Sequence, residues 1–123
     1  PFVSNSYLFV LNKTLKRMSV NTEKETSFSE IINGETPVLV DFYTDWCGPC
    51  KMMNPILKEL KNRMGDRIHI LKVNAETNPA AAIKYQVRGV PTLILFRKGE
   101  IMWQQSGVVQ APQLESIINS NIS

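Results

Sequence analysis

The 123-residue chain has few of the side chains that cross-link a fold or bind metal: it contains two cysteines and one histidine, His69. A structural zinc site normally takes four cysteine or histidine ligands, so this set is too small for one. A disulfide across a two-residue spacer would close a very small loop and would restrain the unfolded chain little. We therefore expect no metal site and a chemical role for the cysteines, with a static disulfide or half of a metal site as the alternatives.

The chain also lacks a long apolar run and an excess of charge in its main part. The apolar run within residues 1–19 is far shorter than the ~20 residues of a membrane helix. Lys13, Lys16 and Arg17 precede the first acidic residue, Glu23, and the other 11 basic residues equal the 11 acidic residues in number. No basic stripe with interleaved aromatic residues is present in the sequence, so it does not predict binding to nucleic acid.

Residues 1–19 are predicted to be an N-terminal extension or leader, and residues 20–123 to form one domain. The positive charge of the extension follows its apolar part, which is the reverse of a secretory signal. A transit peptide remains an alternative, because the segment is basic, contains serine and has no acidic residue. An apolar content of 43% is sufficient for one globular domain with its own core.

Strands and helices are predicted to alternate along residues 20–123. The runs "PVLVDFYT" and "IHILKV" predict buried strands, because they are β-branched and nearly continuous in apolarity. Pro49 begins a helix that ends at Gly65, and Asn78 caps a second, short helix. The run "TLILFRKGEIMWQQ" predicts a hairpin that turns at Lys98–Gly99, and a last helix follows it. The pattern predicts an α/β domain with a mixed sheet covered on both faces.

The two cysteines, Cys47 and Cys50, lie in "WCGPCK", after the first strand and at the start of the following helix. Free backbone N–H groups and the positive end of the helix dipole favour a thiolate there, so Cys47 is predicted to be the exposed, attacking sulfur. Cys50 lies one turn further along the same side of the helix, close enough to bond to Cys47 and shielded by the chain. This arrangement favours a redox-active dithiol in which Cys50 resolves the intermediate.

The motif "WCGPCK", preceded by "VDF" and followed by "RGVPT", resembles the thioredoxin family over about residues 20–123. The resemblance implies a thioredoxin fold with a mixed central sheet of about five strands, flanked by helices on both faces. It implies that Asp41 is a buried carboxyl group that takes the proton of Cys50, and that Lys72 approaches it from the neighbouring strand. Burial in an apolar strand should raise the pKa of Asp41. A purely structural acid and an exposed strand lysine are the alternatives.

The resemblance also implies a substrate-binding surface around the sulfur of Cys47. Pro91 corresponds to the family's cis-proline, and the backbone of Val90 beside it would pair with an extended substrate segment. The implied surface is flat and mostly apolar, and consists of Trp46, Gly48, Pro49, Gly89, Val90, Pro91 and Gly107. Its Gly48–Pro49 spacer is the one associated with reductants in this superfamily. A simple turn glycine at position 107 and a trans proline at position 91 are the alternatives.

The activity implied by the resemblance is the reduction of protein disulfides, with no cofactor bound by the chain itself. Electrons would come from NADPH through a flavin-containing thioredoxin reductase, and the partners would be that reductase and disulfide-containing proteins. We expect a cytoplasmic monomer without nucleic-acid or membrane partners. Tyr43, Thr44 and Asn54 depart from the commonest residues of the family. Two alternatives stay open: a binding or processivity subunit that does not use its sulfurs, and an oxidising or isomerising protein of an export compartment.

Overall fold

The structure, a computed structural model, describes residues 28–122. Its strands are β1 (Val38–Tyr43), β2 (His69–Asn74), β3 (Thr92–Arg97) and β4 (Glu100–Ser106). Its helices are α1 (Gly48–Met64), α2 (Pro79–Lys84) and α3 (Ala111–Ile122), with a helical turn over residues 28–32 before β1 and a 3₁₀ turn, Gly65–Arg67, after α1. The predicted order of strands and helices is confirmed, and the extension predicted for residues 1–19 lies outside the described residues.

Strand β1 lies inside a mixed sheet with the strand order β2-β1-β3-β4. It pairs parallel with β2 and antiparallel with β3, and β3 pairs antiparallel with β4. The apolar sequence "VLVDFY" suits this place, because a strand with neighbours at both edges and helices on both faces buries nearly every side chain. The mixed sheet is confirmed, with four strands within residues 28–122 against the expected five or so.

Different elements cover the two faces of the sheet. The helix-pair face, the side toward α1 and α3, buries Leu39, Leu93 and Leu95 against Met53 and Leu60. The aromatic face, the side toward α2 and residues 28–32, buries rings whose neighbouring centroids lie 5.1 to 6.5 Å apart: Phe28, Phe42, Tyr85 and Phe96. The predicted helical layers on both faces are therefore confirmed.

Helix α1 begins and ends where the sequence predicts. Pro49 lies in its first turn, where a missing N–H leaves no hydrogen bond unmade. Gly65 follows its last residue with a φ of 58°, in the left-handed region that favours glycine. The apolar residues of α1 recur at helical spacing and are buried: Met53, Ile56, Leu57, Leu60 and Met64.

The hairpin of β3 and β4 turns at Lys98 and Gly99, as predicted, and both residues have positive φ, 55° and 80°. The turn is tied to the segment before β1, because the N–H of Lys98 donates to the carbonyl of Gly34 at 2.9 Å and that of Gly99 to Ile32 at 2.7 Å. A side chain at position 99 would also collide with the side chain of Asn33. The backbone angle therefore favours glycine at this position, and the exposed side chain of Asn33 would have to move aside for any other residue.

The start of α2 agrees with the prediction in position, but the hydrogen bonds of its N-cap residue differ. Asn78 occupies the N-cap position, but its side chain makes no capping hydrogen bond. Its amide donates to the carbonyl of Asn74 at 2.9 Å instead. The side-chain oxygen of Asn74 accepts from the backbone N–H groups of Glu76 and Thr77 at 2.8 and 3.3 Å. The two asparagines thus hold the turn between β2 and α2, and Asn78 lies at the N-cap as predicted but without the side-chain hydrogen bond of a cap.

Candidate active site

The two cysteines are bonded to each other at the N-terminus of α1, with their Cα atoms 5.3 Å apart. Cys47 is the N-cap residue, in an extended conformation, and its sulfur accepts a hydrogen bond from the backbone N–H of Cys50 at 3.1 Å. A cysteine sulfur at this position is exposed to the unpaired N–H groups and the positive end of the helix dipole. The structure therefore places Cys47 where the sequence predicts and gives its sulfur an environment that favours negative charge.

Both cysteines are nearly inaccessible in this disulfide form. The exposed fraction is 4% for Cys47 and 3% for Cys50, so the expected difference in exposure between them is not seen. They differ in their place on the helix, because Cys47 precedes the first turn and Cys50 lies within it. The spacer residues Gly48 and Pro49 are exposed and lie between them. The asymmetry of the pair is therefore positional in the disulfide form.

The segment before β3 meets the sulfur of Cys47 from the other side. The peptide bond between Val90 and Pro91 is cis, and the carbonyl oxygen of Val90 lies 3.7 Å from that sulfur. The N–H of Gly107 donates to the carbonyl of Pro91 at 2.8 Å, which fixes the segment against the end of β4. Gly107 has a φ of 99°, so its turn conformation and its backbone contact both belong to this site.

Two neighbouring hydroxyl groups, on Thr92 and Ser106, support the same segment. The hydroxyl of Thr92 donates to the carbonyl of Gly89 at 2.6 Å and lies 3.1 Å from the hydroxyl of Ser106 on β4. Gly89 is exposed and Val90 half-buried, so their backbone borders solvent beside the disulfide. The sequence analysis did not find Thr92 and Ser106, because the pairing register of β3 and β4 that joins them is not visible in either residue alone.

Trp46 is the most exposed aromatic residue of the site, with 69% of its surface accessible. Its indole N–H donates to a carboxylate oxygen of Glu76 at 2.8 Å, which ties the loop before α1 to the loop after β2. Glu76 was not among the predicted site residues. An acidic residue in the loop after the neighbouring strand was the available signal, because parallel strands end at the same edge of the sheet.

Asp41 lies in the middle of β1 and is fully buried. It shares the helix-pair face with Leu39, since alternate residues of a strand point to the same side. Among residues 28–122, neither oxygen of its carboxyl group has a hydrogen-bond partner. Burial raises the pKa of Asp41 to about 7, against the opposing effect of the Lys72 charge. The direction is the one predicted from the apolar surroundings.

Lys72 is the register partner of Asp41 on the neighbouring parallel strand. Its ammonium group donates a hydrogen bond to the side-chain oxygen of Asn54 on α1 and lies 4.7 Å from the centroid of the Tyr43 ring. Lys72 therefore lies beside Asp41 as expected, but the acceptor of its hydrogen bond is an amide. Asn54 could have been suspected from its spacing, because it lies four residues after Cys50 on the same helix.

A cavity of about 210 Å³ lies beside Cys50 and Lys72, lined by Tyr43, Thr44, Asp45, Cys50, Lys51, Asn54 and Lys72. It adjoins the buried cysteine and the lysine that neighbours Asp41. The hydroxyl of Thr44 is also buried without a hydrogen-bond partner in the described part of the chain. The cavity is lined by polar side chains and is large enough to admit water beside Cys50.

Two further classes of site were sought in residues 28–122. No group of three or more His, Cys, Asp or Glu side chains is arranged there to hold a metal ion. No helix in the same range has the length and apolarity needed to cross a membrane.

Comparison with known proteins gives consistent matches over this domain. The thioredoxin family model matches residues 19–120. Thioredoxin C-2 of Corynebacterium nephridii is 40% identical over 103 residues, which are 84% of this chain and 95% of that protein. Thioredoxin of Porphyra purpurea is 40% identical over 107 residues, 86% of this chain and 100% of that protein. A solved mutant thioredoxin from Halobacterium salinarum NRC-1 has a TM-score of 0.72 and 36% identity, covering 80% of this chain and 85% of that one.

The matched residues include all four strands and the disulfide-bonded pair at the start of α1. A disulfide between cysteines two residues apart, at a helix N-terminus and against a cis-proline segment, suits reversible exchange of two thiols for one disulfide. The chain therefore belongs to the thioredoxin family and is a thiol-disulfide oxidoreductase that works by dithiol exchange through Cys47 and Cys50.

Proposed function

We propose that the chain is a protein-disulfide reductase in which Cys47 attacks and Cys50 resolves. The observation that carries the proposal is the hydrogen bond of 3.1 Å from the backbone N–H of Cys50 to the sulfur of Cys47 at the N-cap of α1. In the dithiol form the same N–H and the helix dipole would stabilise a thiolate on Cys47. A thiolate at this place is the nucleophile that disulfide exchange requires.

The substrate would dock on the surface that borders the Cys47 sulfur, formed by Trp46, Gly48, Pro49, Gly89, Val90, Pro91 and Gly107. The backbone of Val90 lies beside that sulfur and would pair with an extended segment of the substrate. The Cys47 thiolate would attack one sulfur of the substrate disulfide. The substrate bond breaks, a mixed disulfide with Cys47 forms, and the leaving thiolate takes a proton from water.

Resolution would need the thiol of Cys50 to lose its proton. The Asp41 carboxylate would accept this proton, through water in the adjoining cavity, since its pKa of about 7 suits transfer near neutral pH. The Cys50 thiolate then attacks the sulfur of Cys47 and releases the second substrate thiol. The substrate disulfide gains two electrons, and the chain is left with the Cys47–Cys50 bond.

The oxidised chain would be recharged by a flavin-containing thioredoxin reductase that draws electrons from NADPH, with no cofactor bound by the chain itself. Disulfide-containing proteins would be the other partners. We propose a monomer that works in the cytoplasm, without nucleic-acid or membrane partners, with residues 1–19 as an extension or leader and residues 20–123 as the working domain. The Gly48–Pro49 spacer supports the reducing direction.

The test is the reduction of insulin with a dithiol donor, followed by turbidity, for the parent chain and the variants Cys47→Ser and Cys50→Ser. We expect both variants to fall to the rate of the donor alone. The Cys50→Ser variant alone should accumulate covalent adducts with its substrate, because the mixed disulfide forms and is not resolved. Full activity of Cys47→Ser would contradict the proposal and would favour a binding subunit. A strongly oxidising measured potential would favour an oxidising protein instead.

A further inference from the structure

The position of the Lys72 ammonium group is unusual for a lysine beside a buried carboxyl group. Lys72 and Asp41 are register partners, and opposite charges attract strongly where water is excluded. The ammonium nevertheless donates to the Asn54 side chain and lies over the ring of Tyr43, while both oxygens of Asp41 have no partner in the described residues. Something other than the carboxyl group therefore determines where the charge of Lys72 lies.

We propose that Asn54 is a positioning residue that fixes the Lys72 ammonium group at the mouth of the cavity beside Cys50. The inference rests on the proposed role of Asp41 in accepting the proton of Cys50. Asn54 would act through Lys72, since none of the contacts described for Asn54 is with a sulfur of the redox pair.

The fold explains why α1 can supply this residue. Asn54 lies four residues after Cys50, so the two side chains share one side of the helix. That helix packs on the helix-pair face, where Asp41 and Lys72 are adjacent. Asn54, Cys50 and Lys72 accordingly line one cavity.

The chemistry of an amide suits the task. A hydrogen-bonded ion pair with Lys72 would lower the pKa of Asp41 and keep the carboxylate ionised, whereas a lysine extended into water would exert little effect on it. The side-chain oxygen of an asparagine can hold the ammonium group near the carboxyl group without a direct ion pair and without release into water. It adds no charge of its own. The ring of Tyr43 adds a cation–π contact on the same ammonium group.

Several titratable groups face the cavity, and among them the charge of Lys72 acts on the carboxyl group of Asp41. They come from β1, the loop after it, α1 and β2, and are Tyr43, Asp45, Cys50, Lys51 and Lys72. Cys50 does not titrate in the disulfide form. The oxidised chain is therefore the form in which to measure the effect of Asn54 on Asp41.

The experiment is a ¹³C NMR titration of the Asp41 carboxyl group in the oxidised chain. We expect Asn54→Ala to raise its midpoint by about 0.5 of a pH unit, because the released ammonium group moves into water and its stabilising field is lost. Asn54→Asp should raise it further, since a second carboxylate neutralises Lys72 and repels ionised Asp41. Asn62→Ala, which removes an exposed asparagine from the same helix, should leave the midpoint unchanged.

The decisive comparison repeats Asn54→Ala in a Lys72→Met background. A shift that disappears there supports the proposal, because Asn54 then acts through the lysine. An unchanged midpoint in Asn54→Ala, or an equal shift with and without the lysine, would overturn it. The pH profile of insulin reduction separates the two proposals. If the midpoint shifts while the profile does not, Asn54 still positions Lys72 and the proposed role of Asp41 as a proton acceptor fails.

Discussion

On the aromatic face of the sheet, Phe28 and Tyr85 pack edge to face against Phe96, whereas the helix-pair face buries the carboxyl group of Asp41 among leucines. The rings gain contact area, and the phenylalanine rings carry no polar atom. The carboxyl group is ionisable and without a hydrogen-bond partner in residues 28–122, and its neighbour Lys72 lines the cavity that reaches Cys50. Both faces of β1 carry apolar packing that stabilises the fold, and the helix-pair face alone also buries an ionisable group on this strand.

The largest change in stability is expected from Phe42→Ala on the aromatic face. Phe42 is fully buried, and its truncation should lower the free energy of unfolding by about 3–5 kcal/mol. Chemical denaturation of the oxidised chain measures this loss. Ile83→Ala is the control, because Ile83 is 78% exposed and its loss should change stability by less than about 0.5 kcal/mol. Similar values for the two variants would contradict the packing described for this face.

Asp41→Ala should raise the free energy of unfolding at alkaline pH, whereas Phe42→Ala lowers it. The carboxyl group keeps its proton up to a pH of about 7 in the folded chain and loses it near 3.8 when unfolded, so its contribution to stability declines as pH rises between these values. Above pH 7 the variant should be more stable than the parent by up to about 4 kcal/mol, less the effect of the small cavity left behind.

The measurement for Asp41→Ala is denaturation of the oxidised chain at several pH values from 4 to 9. The advantage of the variant should shrink steadily as pH falls below 7. Glu100→Ala, which removes an exposed carboxyl group on β4, serves as the control and should not alter the pH dependence in this way. A pH-independent difference between the Asp41 variant and the parent would contradict the raised pKa.

The smallest effect is expected from Ser106→Ala, at the end of the aromatic face. This change removes the hydroxyl that lies 3.1 Å from Thr92, while Thr92 keeps its hydrogen bond to Gly89. A loss of about 1 kcal/mol is expected, because one net hydrogen bond is lost and no buried donor is stranded. Thermal denaturation measures it, with Gln105→Ala as an exposed control. A loss as large as that of Phe42→Ala would show that the contact between Thr92 and Ser106 stabilises more of the fold than the segment before β3.

The fold was largely predictable from the sequence, because its main elements have local signals. The apolar run of β1, the proline and glycine that bound α1, and the Lys98–Gly99 turn each predict their own structure. The hydrogen bonding of the N-cap residue was not predictable: the amide nitrogen of Asn78 donates to the carbonyl of Asn74, and its side-chain oxygen, which a cap would use, has no partner among residues 28–122. This hydrogen bonding depends on the conformation of residues that are separated along the chain.

The positions of Cys47 at the helix start, of Asp41 in a buried strand and of Pro91 after a cis bond were predictable, because each follows from a local motif. The partners of Lys72 were not, because they depend on the parallel register of β1 with β2 and on the rotation of α1 above them. Glu76 and Ser106 were missed for the same reason, since each becomes part of the site through a contact between distant segments. The equal burial of the cysteines likewise arises from the way the Val90 segment lies against Cys47.

In the disulfide form only a few per cent of the surface of each cysteine is accessible to an incoming reagent. A thiol dissolved in the buffer meets this bond along a narrow line of approach, while a docked protein brings its own sulfur along that line at high local concentration. We therefore expect reagents of equal reducing strength but different shape to reduce the Cys47–Cys50 disulfide at different rates.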